Sequence, residues 1–216
     1  MLVPALFVLP LALLLAHLLH REVLGFRFFR IVFFFPNLIG VAGVLLWQQL
    51  YNPKIGPINS LLVSLGLERF EGFAWLSSEY LYYALIPMAI WSATGFNMVL
   101  FLAAMQSVPT SLYEAAEIHG ASDWQKFRYV TFPSILETFT AATILMFIGG
   151  MKAFEAIWLL TNQSPTSDSH VVGTLMVRSL FVEQRVGQAA ALATLLFLIV
   201  LLGSLLTSRL SQDAES

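Results

Sequence analysis

Apolar residues run along this chain in five long blocks, and the polar residues gather in the gaps. Residues 2–20, 31–51, 81–106 and 187–208 hold no Asp, Glu, Lys or Arg, and residues 134–160 hold only Glu137, Lys152 and Glu155. A helix needs roughly 20 apolar residues to cross the hydrocarbon of a bilayer, so each block is long enough for one crossing. The first has no basic leader segment and no small-residue cleavage site, so it reads as a span rather than a signal peptide. The pattern predicts an all-α polytopic membrane protein, with residues 1–216 as one membrane domain.

Composition agrees. The 216 residues are 58% hydrophobic and 11% charged, with a mean hydropathy of +0.78. Soluble domains hold about 45–50% apolar and about 25% charged residues. A net charge of −2 gives no reason to expect a nucleic-acid partner. The absence of cysteine excludes disulfides and thiolate metal sites. His17 and His20 end the first block with no third ligand beside them, so no metal site is expected.

Basic residues favour cytoplasmic loops. Arg21, Arg27 and Arg30 follow the first block, Lys126 and Arg128 lie between the third and fourth, and Arg209 is in the tail. Lys54, Arg69, Arg178 and Arg185 lie on the other side, in longer loops. The balance places residues 107–133 and the C-terminus inside, and 52–79 and 161–186 outside. Parity then puts the start of the first span outside, as it would be if a further span preceded it. Trp47, Tyr51, Trp75, Tyr80, Tyr82 and Tyr83 read as an aromatic belt at the outer boundary, and PINSLLVSLG (57–66) as a short helix on the outer leaflet.

The polar block EAAEIHGASDWQKFRYVTFP, Glu114 to Pro133, breaks the apolar run. Ser111 and Glu114 are spaced as a capping box, and Ser122 and Gln125 repeat the spacing. Gly120 stands where a helix-ending glycine would, and Pro133 suits the first turn of the next span. Two short helices follow, about 111–119 and 123–131, bent at Gly120–Ala121. Their apolar faces suit a docking knob, and a solvated linker fits the same residues.

This block resembles the EAA loop of binding-protein-dependent ABC importer permeases. Glu114, Ala115, Ala116, Gly120 and Ala121 match the core of that motif, and Phe127 and Pro133 its looser downstream positions. GFNMVLFLAAMQSVPTSLY (95–113), RFFRIVFFFPNLIGVAGVLLWQQLYNP (27–53) and AFEAIWLLTNQSP (153–165) resemble the carbohydrate-type branch, so the likeness covers nearly the whole chain. His119 departs from it, since that branch often has Asp there. The resemblance implies a type I ABC importer permease fold, usually of six spans where five are visible here. It implies a coupling loop, 107–133, seated on a cytoplasmic ATPase, with Glu114, Ala115, Ala116, Gly120, Ala121 and Phe127 as coupling residues. It further implies a second permease subunit in a heterodimer, cytoplasmic ATP-binding subunits that carry the ATP and Mg, an extracytoplasmic solute-binding protein, and a bacterial or archaeal inner membrane. No cofactor is expected on this chain, which has no G-x-x-x-x-G-K-[ST] loop, and no catalysis. The implied solute is a sugar or polyol; an amino acid, phosphate or peptide is the alternative within the family, and a stand-alone secondary transporter the alternative outside it.

Charges inside spans usually face a cavity or a partner. Lys152 and Glu155 share a helix face and, with Asn97 and Trp158, either line the solute path or simply pair near the outer surface. Gly149–Gly150 just before them reads either as a hinge or as a close helix contact.

Overall fold

The computed structural model describes residues 2–20, 25–152 and 154–215. The helices are α1 (Leu2–His20), α2 (Phe26–Leu38), α3 (Gly40–Leu50), α4 (Pro57–Ser64), α5 (Leu81–Gln106), α6 (Thr110–Ile118), α7 (Asp123–Lys126), α8 (Phe132–Ser134), α9 (Leu136–Lys152), α10 (Phe154–Leu160), α11 (Val172–Val177) and α12 (Val186–Glu215). π-helical turns at Phe127–Thr131 and Arg178–Val182 follow α7 and α11.

The third predicted span, 81–106, is α5 end to end. It is the axis of the bundle, packed against α1, α2 and α9. In lipid no hydrophobic effect presses helices together, so close fit must do so, and small residues favour it. α1 shows this directly: Val8, Ala12 and Ala16 recur every four residues and are fully buried. Ala12 and Ala16 join Leu9, Leu19, Met98, Phe101, Leu102 and Met105 in one core. A second core at the other end of α5 joins Leu81, Leu85 and Met88 to Ile157 and Leu160 of α10.

Two predicted spans are bent. The second, 31–51, is α2 and α3 meeting at 86°. Gly40 takes φ +45 at the corner, and Pro36 lies one turn before it, where it cannot donate to the helix ladder. The chain still travels the length of α5. Phe33 touches Gly95 near its middle, and the Tyr51 hydroxyl donates to the Ala84 carbonyl at 2.8 Å near its start. In the fourth, 134–160, the helix begins after a 66° bend at Ile135 and is made of α9 and α10, with Ala153 outside the described residues. Among the described residues, three helices are long and apolar enough to cross a membrane, or up to five crossings if each bent pair is one.

α9 runs through Gly149, and a Cβ there would meet nothing within 4 Å among the described residues. α12 is held mainly by α9 and α11, with Gly203 admitting the Phe147 ring so closely that a Cβ would overlap it. Elsewhere on α12, Leu198, Leu202 and Leu206 are exposed. The aromatic belt is partly an internal ladder: Trp47 and Tyr51 lie 5.3 Å apart, Tyr51 and Trp75 5.9 Å, and Phe73 and Tyr80 4.8 Å. Tyr82 and Tyr83 remain exposed.

Candidate functional site

α6 and α7 form the predicted elbow just past the end of α5. Its bend is made by backbone geometry. Gly120 has φ +73, the Ala121 N–H donates to the Ala116 carbonyl at 3.0 Å, and the Gly120 N–H donates to the Glu117 carbonyl at 2.8 Å. This pair of bonds is a Schellman ending, which favours glycine in the left-handed position. His119 adds to it, because its ring Nδ1 lies 2.8 Å from the Ala115 carbonyl and a carbonyl can only accept. The departure from Asp at this position therefore supplies a donor to the helix end.

The predicted capping box at Ser111 does not form. Pro109 takes the cap position and α6 starts at Thr110, with no side-chain cap. Ser111 thus falls inside the first turn and Glu114 in the second, exposed and away from the orphan amides it was expected to serve. The second box is present: the Ser122 N–H donates to Gln125 Oε1 at 2.7 Å, and the Gln125 N–H to Ser122 Oγ at 3.4 Å. Ser122→Ala removes one of these bonds, and helix caps contribute about 1 kcal/mol. The variant should open the elbow locally, seen as faster amide exchange at Gln125 with the spans unchanged.

Lys126 ties the two helices together by an ion pair with Glu117 across the bend, and approaches Asp123 at 3.8 Å. The hydrogen bond to Glu117 is the main cause that holds the Lys126 ammonium above the ordinary lysine value. The inward side of the elbow is anchored to the bundle. The Phe127 ring meets His17 of α1 edge-on at 4.8 Å, and Tyr113 lies 6.5 Å from the His20 ring. The Tyr113 hydroxyl is 3.0 Å from Thr131 Oγ1. Tyr113, Phe127 and Val130 pack on the core of α1 and α5. His17 and His20 were weighed in the sequence only as metal ligands, and no role in this joint was read for them, for Tyr113 or for Thr131, because their partners are distant along the chain.

Three large side chains of the elbow stay exposed, Trp124 among them although its ring stacks on Phe127 at 5.6 Å. Ile118 is 85% exposed, Tyr129 71% and Trp124 67%. Glu114, Ala115 and Gly120 share this exposure, while Ala116, Ala121 and Phe127 are half-buried. Of the predicted coupling residues, Phe127 therefore serves the joint with α1 and the others lie at or near the outer surface.

The predicted solute-path residues are not gathered. Asn97 is 4% exposed in α5, and its Nδ2 donates to the Ala93 carbonyl of its own helix at 2.9 Å. Glu155 is exposed in the first turn of α10 and Trp158 is half-buried two positions before its end. The Lys152 side chain lies outside the described residues. Among the described residues no hydrogen bond or ring contact joins Asn97, Glu155 and Trp158. No group of three or more His, Cys, Asp or Glu suited to a metal occurs among them either.

Comparison with known proteins gives the same architecture. The diacetylchitobiose uptake system permease of Streptomyces coelicolor is 33% identical over 184 residues, 84% of this chain and 52% of its own length. The arabinooligosaccharides transport system permease of Bacillus subtilis is 31% identical over 212 residues, 94% of this chain and 66% of its own length. A crystal structure of a bacterial ABC transporter that imports the acidic polysaccharide alginate superposes with a TM-score of 0.86 at 25% identity, covering 99% of this chain and 76% of that one. The chain thus spans about half to two thirds of the length of these curated relatives. The family model described as binding-protein-dependent transport system inner membrane component matches residues 1–214, and with the bent elbow and the helical bundle in place, the chain belongs to that family.

Proposed function

We propose that this chain is a permease subunit of an ABC importer for a sugar or polyol. It works beside a second, related permease and receives solute from an extracytoplasmic binding protein. The elbow and the C-terminus face the cytoplasm, where separate ATPase subunits bind ATP and Mg and perform all the chemistry. The observation that carries this reading is the elbow's two-sidedness. One side is welded to α1 and α5 through Phe127, Tyr113 and the two histidines, with Trp124 stacked on Phe127 at its rim, and the other leaves Ile118 and Tyr129 exposed. A linker has no need to be anchored on one side and apolar on the other. A lever has both needs: a rigid joint to what it moves, and a surface to be gripped. Glu114, relieved of any capping duty, is free to meet a polar group of the gripping protein. Sugar relatives that match along most of the chain support the solute class.

Buried aromatic and aliphatic anchors dominate protein interfaces. Ile118→Ala and Trp124→Ala should each weaken capture of the ATPase subunits tenfold or more, about 1.4 kcal/mol. Both side chains are largely exposed, and the stack of Trp124 on Phe127 at 5.6 Å lies within the elbow, so insertion and thermal stability should stay close to wild-type level. Binding of purified ATPase to the reconstituted permease pair, followed by ATP-dependent uptake in proteoliposomes, checks this. Uptake that proceeds with no ATPase present would favour a secondary transporter and end the proposal.

A further inference from the structure

The end of the bundle opposite the elbow holds a cleft that the reading above does not use. α5 has 26 residues, about 39 Å at 1.5 Å per residue. The elbow follows its last residue, while the cleft is lined by Leu81, its first. The cleft has a volume of about 600 Å³, within the usual range of about 300–1,000 Å³ for small-molecule sites. Its walls come from the end of α3, the turn before α5, the end of α10 and the loop after it.

The chemistry of these walls is one-sided. The polar groups are amides and hydroxyls, among them Gln48, Asn52, Ser77, Asn162 and Ser164, and the apolar ones include Leu76, Leu81 and Leu160. Among the described residues no charged side chain lines it. The frame is fixed. Gln48 Nε2 donates to the Leu159 carbonyl at 3.2 Å and to Asn162 Oδ1 at 3.0 Å, clamping α3 to the turn that ends α10. That turn is itself held with Asn162 at φ +51 and Gln163 at φ +62, the Gln163 N–H donating to the Trp158 carbonyl at 2.7 Å. Asn52 Oδ1 accepts from the Lys54 and Ile55 amides. These bonds spend one side of each amide and leave the other. Asn52 Nδ2 and Asn162 Nδ2 have no protein partner among the described residues, nor have the hydroxyls of Ser77 and Ser164. Such groups need water or a ligand rich in hydroxyls.

We propose that this cleft is an entry subsite for a neutral saccharide, and that it discriminates against acidic ones. The inference rests on the import reading given above. A hydroxyl-rich solute can trade its water for these amides and hydroxyls nearly one for one, while its apolar ring face lies on the leucines. A carboxylate that entered would give up hydration with no cation in the lining to compensate, which is costly.

The chain has no cysteine, so single-cysteine variants report cleanly. Ser77→Cys and Ser164→Cys place a thiol in the cleft, and Ser60→Cys on α4 serves as control. Each is reconstituted in the complete importer and labelled with a maleimide, read on this chain's own band. Diacetylchitobiose, maltotriose, arabinotriose and the acidic triguluronate are tested one at a time, and uptake of each is measured in parallel. At least one neutral saccharide should slow labelling at both cleft positions fivefold or more, leave Ser60→Cys unchanged, and find no counterpart in triguluronate. The proposal is overturned if no neutral saccharide protects either position, if triguluronate protects equally, or if Ser60→Cys is slowed as much. Uptake without protection removes the subsite and leaves the permease reading standing, and protection without any uptake does the reverse.

Discussion

Alanine in place of Gly95 is expected to abolish stable assembly of this chain. At this position the backbone of α2 crosses that of α5 so closely that a Cβ would fall inside the Phe33 carbonyl oxygen and within 2.9 Å of the Phe34 Cα. Both atoms are backbone, so no rotamer change relieves the overlap. The helices must separate, and α2 is one of the main partners of α5. Forcing extra atoms into a packed site typically costs about 1–3 kcal/mol where side chains can yield, and here the cost is expected at or above the top of that range. The apparent melting temperature in detergent should fall sharply and monodisperse yield should be lost. Gly149→Ala, in the same bilayer setting but with open space around its Cβ, should behave as wild type. Equal stability of the two variants would show that α2 and α5 do not cross at Gly95.

Gly120→Val should separate folding from transport. A Cβ at Gly120 meets nothing within 4 Å, so sterics with neighbours are not at issue. The cost is conformational, because φ +73 lies in the left-handed region and a residue with a Cβ pays roughly 1–2 kcal/mol there, a factor of about 5–30. The bundle has no stake in that angle, so the five crossings and the expression level should be retained. The elbow would instead populate other bends, moving Ile118 relative to Trp124 and Tyr129. Uptake and solute-stimulated ATP hydrolysis in proteoliposomes should fall at least fivefold, with ATPase binding reduced in parallel. Wild-type uptake would show that the angle between α6 and α7 carries no force.

Much of this architecture was legible in the residues. The apolar length of 81–106 set α5, and the helix runs through Pro87 and Gly95 within it, as membrane helices often do. Gly120, Ser122 and Gln125 predicted the elbow because caps are decided by three or four neighbouring residues. The cap at Ser111 failed on the same local scale: Pro109 presets the first turn, and the helix starts one residue early. The corner at Gly40 had its signals in Pro36 and Gly40, but membrane helices often tolerate both, so an apolar run of 21 residues read as one rod. Contacts such as His17 with Phe127, or Tyr113 with Thr131, join segments far apart in the chain. No local pattern announces them. The cleft at the far end has the same character, assembled from three separate segments, and charged residues inside a span drew attention to Lys152 and Glu155 instead.

The π-helical turn at Phe127–Thr131 stands between the elbow and the span that follows it. Such a turn holds one residue more than the regular ladder accommodates. It offsets the residues that follow, up to the bend at Ile135, by about 100° from where an unbroken α-helix would set them, one residue's worth of winding. The extra residue thus fixes which side of the elbow stands over which side of the bundle, and removing it would point the outer helices another way without touching either cap.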